Sequence, residues 1–227
     1  MWTHYGLCSL ALANPTLDER AIAQRLCTEY IHFAHQGRRF RRGTKITDEE
    51  DEGMLIREAR STDVQALAYV HVASWQTTYP GLLPDTTLAR FTLEQRVQMW
   101  AGILRASDEK SCVFVAEEAE EVVGFASGGP ERTGDPVYTG ELYAIYLLAT
   151  AQGRGVGRAL FTSVADALVG QDRRALLVWV LDTNPACRFY EALGGVRVRT
   201  KQEEFDGVPL TEVAYGWADT GPLLARR

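Results

Sequence analysis

From Leu55 onward, short apolar runs alternate with segments whose apolar residues recur every three or four positions, the pattern of strands interleaved with amphipathic helices. Leu55-Ile56-Arg57-Glu58-Ala59 reads as a strand, and Ser61-Thr62-Asp63 as a helix-start signal. Val64, Leu67, Ala68, His71 and Val72 then share one helical face. Pro80-Gly81 and Pro84-Asp85 interrupt that pattern, and a second helix is predicted over about residues 87–104. Residues 112–116 and 122–127 read as strands joined by an acidic turn, an antiparallel hairpin. Residues 142–148 are almost continuously apolar, as a strand buried on both faces in the middle of a sheet would be. A glycine-rich turn follows, then a helix with Val156, Leu160, Val164 and Ala167 along one stripe. Residues 175–181 form a second fully apolar strand, and residues 185–193 suit a short helix capped by Asn184 and stopped by Gly194. Two strands, 196–200 and 208–215, flank the turn Asp206-Gly207. The order predicts a mixed α/β sheet without internal repeats.

Composition narrows the class. With 46% hydrophobic and 24% charged residues among 227, the chain can bury a core without metals or disulfides, and it has room for one domain plus an appendage. A net charge of −6 argues against a general nucleic-acid or anionic-membrane binder. Cys8, Cys27, Cys112 and Cys187 are too scattered for a zinc site or a disulfide framework and read as thiols in a reducing cytosol, so no metal is expected. No apolar stretch reaches the length of a membrane-spanning helix. Tyr5 to Ala13 ends in an A-x-A pattern but lacks a preceding Lys or Arg, which argues against a secretory signal.

The first 53 residues read differently from the rest. A helix fits residues 17–33, and the basic run Arg38, Arg39, Arg41, Arg42 and Lys45 meets the acidic residues 48–52, the signature of a solvated linker or an interaction arm. Met54 stands just before the first convincing strand, behind residues whose codons are purine-rich like a ribosome-binding sequence, so the natural start is expected there. The expected organisation is thus an extension over 1–53, a domain over 54–217 and a short tail over 218–227.

The most informative segment is Gln152-Gly153-Arg154-Gly155-Val156-Gly157-Arg158, between a buried strand and an amphipathic helix. Glycines let a ligand approach the backbone closely, and the unpaired amides of a helix start attract phosphate oxygens, with Arg154 and Arg158 adding positive charge. The spacing fails both the G-x-G-x-x-G dinucleotide fingerprint and the P-loop, because the glycines fall at 153, 155 and 157 and no Lys-Ser/Thr follows. It does fill the pattern Q/R-x-x-G-x-G/A through Gln152, Gly155 and Gly157.

At these residues the chain resembles the GNAT superfamily of acyl-CoA-dependent N-acetyltransferases, over about residues 54–217. Asn184-Pro185-Ala186-Cys187-Arg188-Phe189-Tyr190-Glu191-Ala192-Leu193-Gly194-Gly195 is similar to that family's N-x-x-A-x-x-F-Y-E-x-x-G-F segment, with Cys187 in place of Ala and Gly195 in place of the usual aromatic. Residues 74–84, Ser-Trp-Gln-Thr-Thr-Tyr-Pro-Gly-Leu-Leu-Pro, resemble a segment between the first two helices of many bacterial members. The resemblance implies a mostly antiparallel central sheet with helices on both faces and a splayed parallel strand pair. It implies acetyl-CoA as co-substrate, with Ile145, Leu147 and Leu148 facing it by their backbone, Gln152, Gly153, Arg154, Gly155, Val156, Gly157 and Arg158 wrapping its pyrophosphate, and Asn184 touching the pantetheine arm. Family members often pair into dimers.

Acyl transfer from a thioester to an amine needs a neutral amine, a stabilised oxyanion and a proton for the leaving thiolate. Tyr190 matches the position that often serves as general acid in the family, although a buried core tyrosine reads the same way. Glu141, at the head of the central strand, is the candidate base, with Tyr143 ordering a water. Trp75 and Tyr79 fall where the family places the acceptor pocket and equally suit a core; His71 reads as a structural histidine. Gly128-Gly129-Pro130 and the loop to Gly140 read as flexible enough to form a rim or lid. The expected activity is transfer of an acetyl group to a primary amine of a small molecule or peptide in a ternary complex. A catalytically silent acyl-CoA sensor or interaction module would use the same cleft.

Overall fold

The computed structural model describes residues 53–106, 110–205 and 207–221. The helix expected over 17–33, the two charged runs, Cys8 and Cys27 lie outside the described residues, as does the end of the tail. Among the described residues the strands are β1 (Leu55–Glu58), β2 (Cys112–Glu118), β3 (Glu121–Pro130), β4 (Gly140–Leu147), β5 (Leu176–Leu181), β6 (Val196–Phe205) and β7 (Val208–Trp217). The helices are α1 (Val64–Thr78), α2 (Asp85–Leu88), α3 (Leu93–Arg105), α4 (Val156–Val169) and α5 (Ala186–Ala192). One sheet runs β1-β2-β3-β4-β5-β7-β6, antiparallel throughout except for β4 beside β5.

Strand alternation sends successive side chains to opposite layers. Ala116, Ala126, Ile145 and Leu147 join Val156, Leu160, Val164 and Leu168 of α4 with Ala186 and Tyr190 of α5. Val115, Phe125 and Tyr146 join Leu67, Val70 and Trp75 of α1 with Trp100 of α3. The central strands are therefore buried on both faces, which is why they read as continuous apolar runs. His71 lies inside the second layer, its ring stacked on Tyr146 at 5.0 Å. Burial, with the charge of Arg96, holds His71 well below its usual pKa, so it is a neutral core residue. Beyond β4, a smaller cluster of Tyr138, Leu177, Trp179 and Ala214 includes no helical residue.

Three expectations are corrected. The helix predicted over 87–104 is two helices, because Thr92 accepts from the Gln95 N–H at 3.3 Å and starts α3 afresh. The break lets Phe91 pack 4.0 Å from Trp75. Gly128-Gly129-Pro130 is not a flexible rim but the end of β3. A Cβ at Gly128 would stand 2.5 Å from Val164 Cγ1, and one at Gly129 would stand 2.5 Å from Tyr143 Oη, so these glycines serve close packing. The loop after them is also held, Glu131 accepting from the N–H groups of Thr133, Gly134 and Asp135. Finally, β6 runs on through Lys201 to Phe205 rather than ending at 200.

The feature that positions the site is the β4–β5 junction. These strands pair only at Gly140↔Leu176 and Glu141↔Leu177, although β4 continues to Leu147 and β5 to Leu181. Tyr143 is an extra residue in the β3–β4 ladder, since Ser127 faces Ala144 and Gly128 faces Leu142. Such a bulge bends its strand and increases the local twist. Past it the two parallel strands part, leaving a gap in the middle of the sheet.

Candidate active site

The β4 bank of the gap follows from antiparallel alternation. The Leu148 N–H donates to Val123 O at 2.8 Å. Tyr146 shares that orientation, so Ile145 and Leu147 turn their N–H and C=O groups away from β3 and toward the gap. Leu147 O already accepts from Ser74 Oγ at 3.3 Å and Gln152 Nε2 at 3.2 Å. Leu148 departs from expectation: its N–H bonds β3 and its C=O accepts from the Ala151 N–H at 2.9 Å, so neither group faces the gap.

At the mouth of the gap the chain turns through Gly153 and Gly155, whose φ angles of +72° and +83° fall in the left-handed region that favours glycine. Nothing lies within 4 Å of where a Cβ would be at either position. Gly155 caps α4 without a side-chain acceptor, and the first turn carries no acidic residue, so the amides of Val156, Gly157 and Arg158 are presented to an incoming anion. Gln152 is held by its bond to Leu147 O, and Arg158 is exposed on the first turn. Arg154 is committed to Glu118 on the β2–β3 hairpin, donating to Oε2 at 3.0 Å and also to Oε1. This bond holds the Glu118 carboxyl below its ordinary range.

On the β5 bank, Asn184 is 2% exposed. Its Oδ1 accepts from the Ala186 N–H at 2.8 Å, starting α5, while its Nδ2 is buried without a hydrogen-bond partner. Tyr190 is wholly buried among Phe189, Tyr215 and Trp217, with ring centroids at 5.3, 5.9 and 6.3 Å. The departure at Gly195 has a packing reason: a Cβ there would stand 2.6 Å from Trp217 Cζ2, so Trp217 fills the space, its indole N–H bonding Leu193 O at 3.0 Å. Burial pushes the Cys112 thiol up to about 11 and raises that of Cys187, which keeps both protonated.

The face of the gap away from α4 carries the other predicted residues. Glu141 is 2% exposed and bonds Arg132 through both oxygens, Oε2 accepting from the backbone N–H at 3.2 Å and from Nε at 3.0 Å. Arg132 lies 4.2 Å over the Tyr143 ring, whose hydroxyl donates to Pro130 O at 2.7 Å. Trp75 and Tyr79 are core residues: Trp75 Nε1 donates to Tyr146 Oη at 2.9 Å, and the two rings pack at 4.6 Å. The structure therefore brings Glu141 and Tyr143 together around Arg132, whereas Trp75 and Tyr79 pack in the α1 layer beside Tyr146.

Sequence reasoning missed Trp179, Lys201 and Glu212. Glu212, 2% exposed, accepts from Lys201 Nζ at 2.9 Å, and that ammonium also lies 4.5 Å over the Trp179 ring. Burial raises the Glu212 carboxyl above its ordinary range despite Lys201, with Glu203 and Glu141 adding to the shift. The available signal was an acid at an inward position of the otherwise uncharged run 208–217. Among the described residues, no group of three or more His, Cys, Asp or Glu side chains is placed to hold a metal, and no helix is long and apolar enough to cross a membrane.

Comparison with known proteins agrees with this geometry. The sequence model of the acetyltransferase (GNAT) family matches residues 72–195. An uncharacterized N-acetyltransferase of Bacillus subtilis, YuaI, is 39% identical over 175 residues, covering 75% of this chain and 96% of that protein. The crystal structure of a ribosomal-protein-alanine N-acetyltransferase from Brucella melitensis superposes with a TM-score of 0.57 at 26% identity, covering 72% of this chain and 98% of that one. The protein yncA of Salmonella typhimurium, solved with its cofactor acetyl-CoA, has the same fold, with a TM-score of 0.56 at 22% identity over 73% of this chain and 93% of that one.

Proposed function

The chain belongs to the acetyltransferase (GNAT) family, and from that premise we propose that it transfers the acetyl group of acetyl-CoA to a primary amine of a small molecule or peptide by direct attack in a ternary complex. The observation that carries this reading is the gap itself, where two parallel strands stop pairing after Glu141 and Leu177 beside an open glycine turn. An amide-bearing arm needs the donors and acceptors a neighbouring strand would use, and the gap offers Ile145 and Leu147 for that purpose. The buried, unpartnered Nδ2 of Asn184 fits the same occupant, because a donor without an acceptor is costly unless a ligand supplies one. Gln152 to Arg158 suit its diphosphate. Arg154 contributes charge there to the extent that it leaves Glu118. Bound acetyl-CoA supplies an activated thioester carbonyl.

The protein's own part is orientation and proton handling. We assign Tyr190 to protonating the departing thiolate. Its seat in the aromatic cluster keeps the ring in one orientation. Glu141 is assigned to the acceptor side, where it draws a proton from the amine only after an Arg132 bond is displaced, and Tyr143 holds Arg132 in place. Trp75 and Tyr79 act from behind by fixing Tyr146 and the α1 wall. Cys112 and Cys187 are free thiols, in keeping with a cytoplasmic setting. We assign the catalytic unit to residues 54–217, with 1–53 dispensable; a chain starting at Met54 is expected to keep wild-type coenzyme A affinity. Incubation with acetyl-CoA and a mixed amine library, read by mass spectrometry, should yield an acetylated amine. Coenzyme A binding without any acetylated product would instead indicate a silent sensor, and absence of coenzyme A binding would overturn the reading.

A further inference from the structure

Two buried polar atoms on the face of β5 and β7 turned away from α5 have no hydrogen-bond partner: Trp179 Nε1 and Glu212 Oε1. Trp179 is 9% exposed and Glu212 2% exposed. Their register makes them neighbours, since Trp179 pairs with Ala214 and Leu181 with Glu212, which puts both side chains on the same face of β5 and β7. Lys201 Nζ touches the Trp179 ring and the other oxygen of Glu212, so the two side chains meet at one ammonium. Trp179 stands two residues past Leu177, the last β5 residue paired with β4, and therefore on the bank of the gap. On this face Glu141, still paired with Leu177, stands at the closed end of the gap, and Tyr143 follows it on the opposite bank.

An orphan donor and an orphan acceptor, each largely buried, are individually unfavourable unless one ligand satisfies both. Resting on the acetyl-transfer reading above, we propose that Trp179 and Glu212 form the acceptor subsite, Glu212 Oε1 accepting a hydrogen bond from the incoming amine while Trp179 Nε1 donates to an oxygen on the same molecule. The acceptor class is then a primary amine with a carbonyl or hydroxyl oxygen a few bonds from the nitrogen. Three acids, Glu141, Glu203 and Glu212, against two cations, Arg132 and Lys201, leave this face with an excess negative charge that favours an arriving ammonium over an anionic compound. Lys201 fixes Glu212 by binding Oε2 and leaves Oε1 for substrate.

The test compares two amines of similar size, L-alaninamide, which carries a carbonyl oxygen, and n-propylamine, which does not. Thiol release from acetyl-CoA gives kcat/KM for each in wild-type protein and in the Trp179→Phe and Glu212→Gln variants. Wild-type protein should favour L-alaninamide. Trp179→Phe should remove most of that preference by lowering kcat/KM for L-alaninamide about tenfold and leaving n-propylamine nearly unchanged. Glu212→Gln should raise KM for both amines about tenfold or more while coenzyme A affinity, measured by calorimetry, stays at the wild-type value. A Trp179→Phe protein that merely folds less well would depress both amines equally and leave the ratio between them unmoved, and a Glu212→Gln protein that does so would lose coenzyme A affinity as well. An unchanged preference in Trp179→Phe, or unchanged amine KM in Glu212→Gln, overturns the subsite. So does wild-type protein that acetylates only those amines of the library that lack a carbonyl or hydroxyl oxygen near the nitrogen, and in that case acetyl transfer itself stands. Absence of thiol release with every amine overturns the acetyl-transfer reading and the subsite with it.

Discussion

Asn184 offers a direct measurement of what the gap is for, because its two polar atoms do different work. Oδ1 accepts from the Ala186 N–H at 2.8 Å and starts α5, whereas Nδ2 is buried with no partner. Asn184→Ser keeps a capping oxygen and withdraws the idle Nδ2 amide, its own hydroxyl proton being free to rotate onto a backbone carbonyl; Asn184→Ala deletes both. Loss of a cap costs about 1 kcal/mol. Removing an unsatisfied buried donor relieves a penalty of about 1–3 kcal/mol. Without ligand, Asn184→Ser should therefore melt at or above the wild-type temperature, with Asn184→Ala below Asn184→Ser. With coenzyme A that advantage narrows, since the ligand loses a buried bond worth about 1–3 kcal/mol, or about 5- to 150-fold in Kd. At a ligand concentration of about 100 wild-type Kd, binding adds about 2.7 kcal/mol. A tenfold weakening removes about 1.4 kcal/mol of that, shrinking the ligand-induced rise in Tm by roughly 3–6 °C for a chain of this size. Calorimetry gives the Kd and thermal melts with and without coenzyme A give the shift. If Asn184→Ser binds coenzyme A within twofold of wild type, the orphan donor is not a ligand contact and the reasoning about the gap fails.

Other outcomes follow from the same geometry. Tyr190→Phe should lower turnover while coenzyme A affinity stays near wild type; unchanged kcat across the pH range removes Tyr190 from proton transfer. Gly128→Ala places a Cβ 2.5 Å from Val164 Cγ1 and 2.9 Å from Glu141 O, a strain of about 1–3 kcal/mol. Its denaturation midpoint should fall, and one equal to wild type would show that α4 yields there freely. Asp63 is pushed up by burial but held below its ordinary value of 3.8 by bonds from Arg57 and the Arg60 N–H. A depressed carboxyl adds stability above its unfolded pKa and loses it as pH falls through the folded one. Asp63→Asn should therefore be less stable than wild type at neutral pH and converge with it in melts taken progressively below pH 3.8; a gap that persists unchanged to the lowest pH contradicts the ion-pair account.

Much of this was legible before any coordinates. Period-two and period-three-to-four patterns locate β2, β3, β4, α1, α4 and β5 because each element must bury one face or both, and burial shows in residue type. The hairpin turn was marked by acids, and the structure turns it at Ala119 and Glu120 with φ of +50° and +63°. Thr92 was harder to read: a cap inside an apparently continuous pattern signals only when the helix must bend to seat Phe91 on Trp75. Gly128 and Gly129 misled for a related reason, since a glycine supplying flexibility and one admitting a neighbour look identical until the neighbours, Val164 and Tyr143, are in place.

The residues by themselves determined the alternation of elements, the open glycine turn at the start of α4 and the Asn184–Tyr190 segment, because these depend on local conformation and on contacts close in the chain. Only the tertiary structure decided where β4 and β5 part, that Arg154 is held by Glu118 from 36 positions away, and that Lys201 and Glu212 meet over Trp179. Such facts arise from long-range register, and register is set by the packing of whole layers.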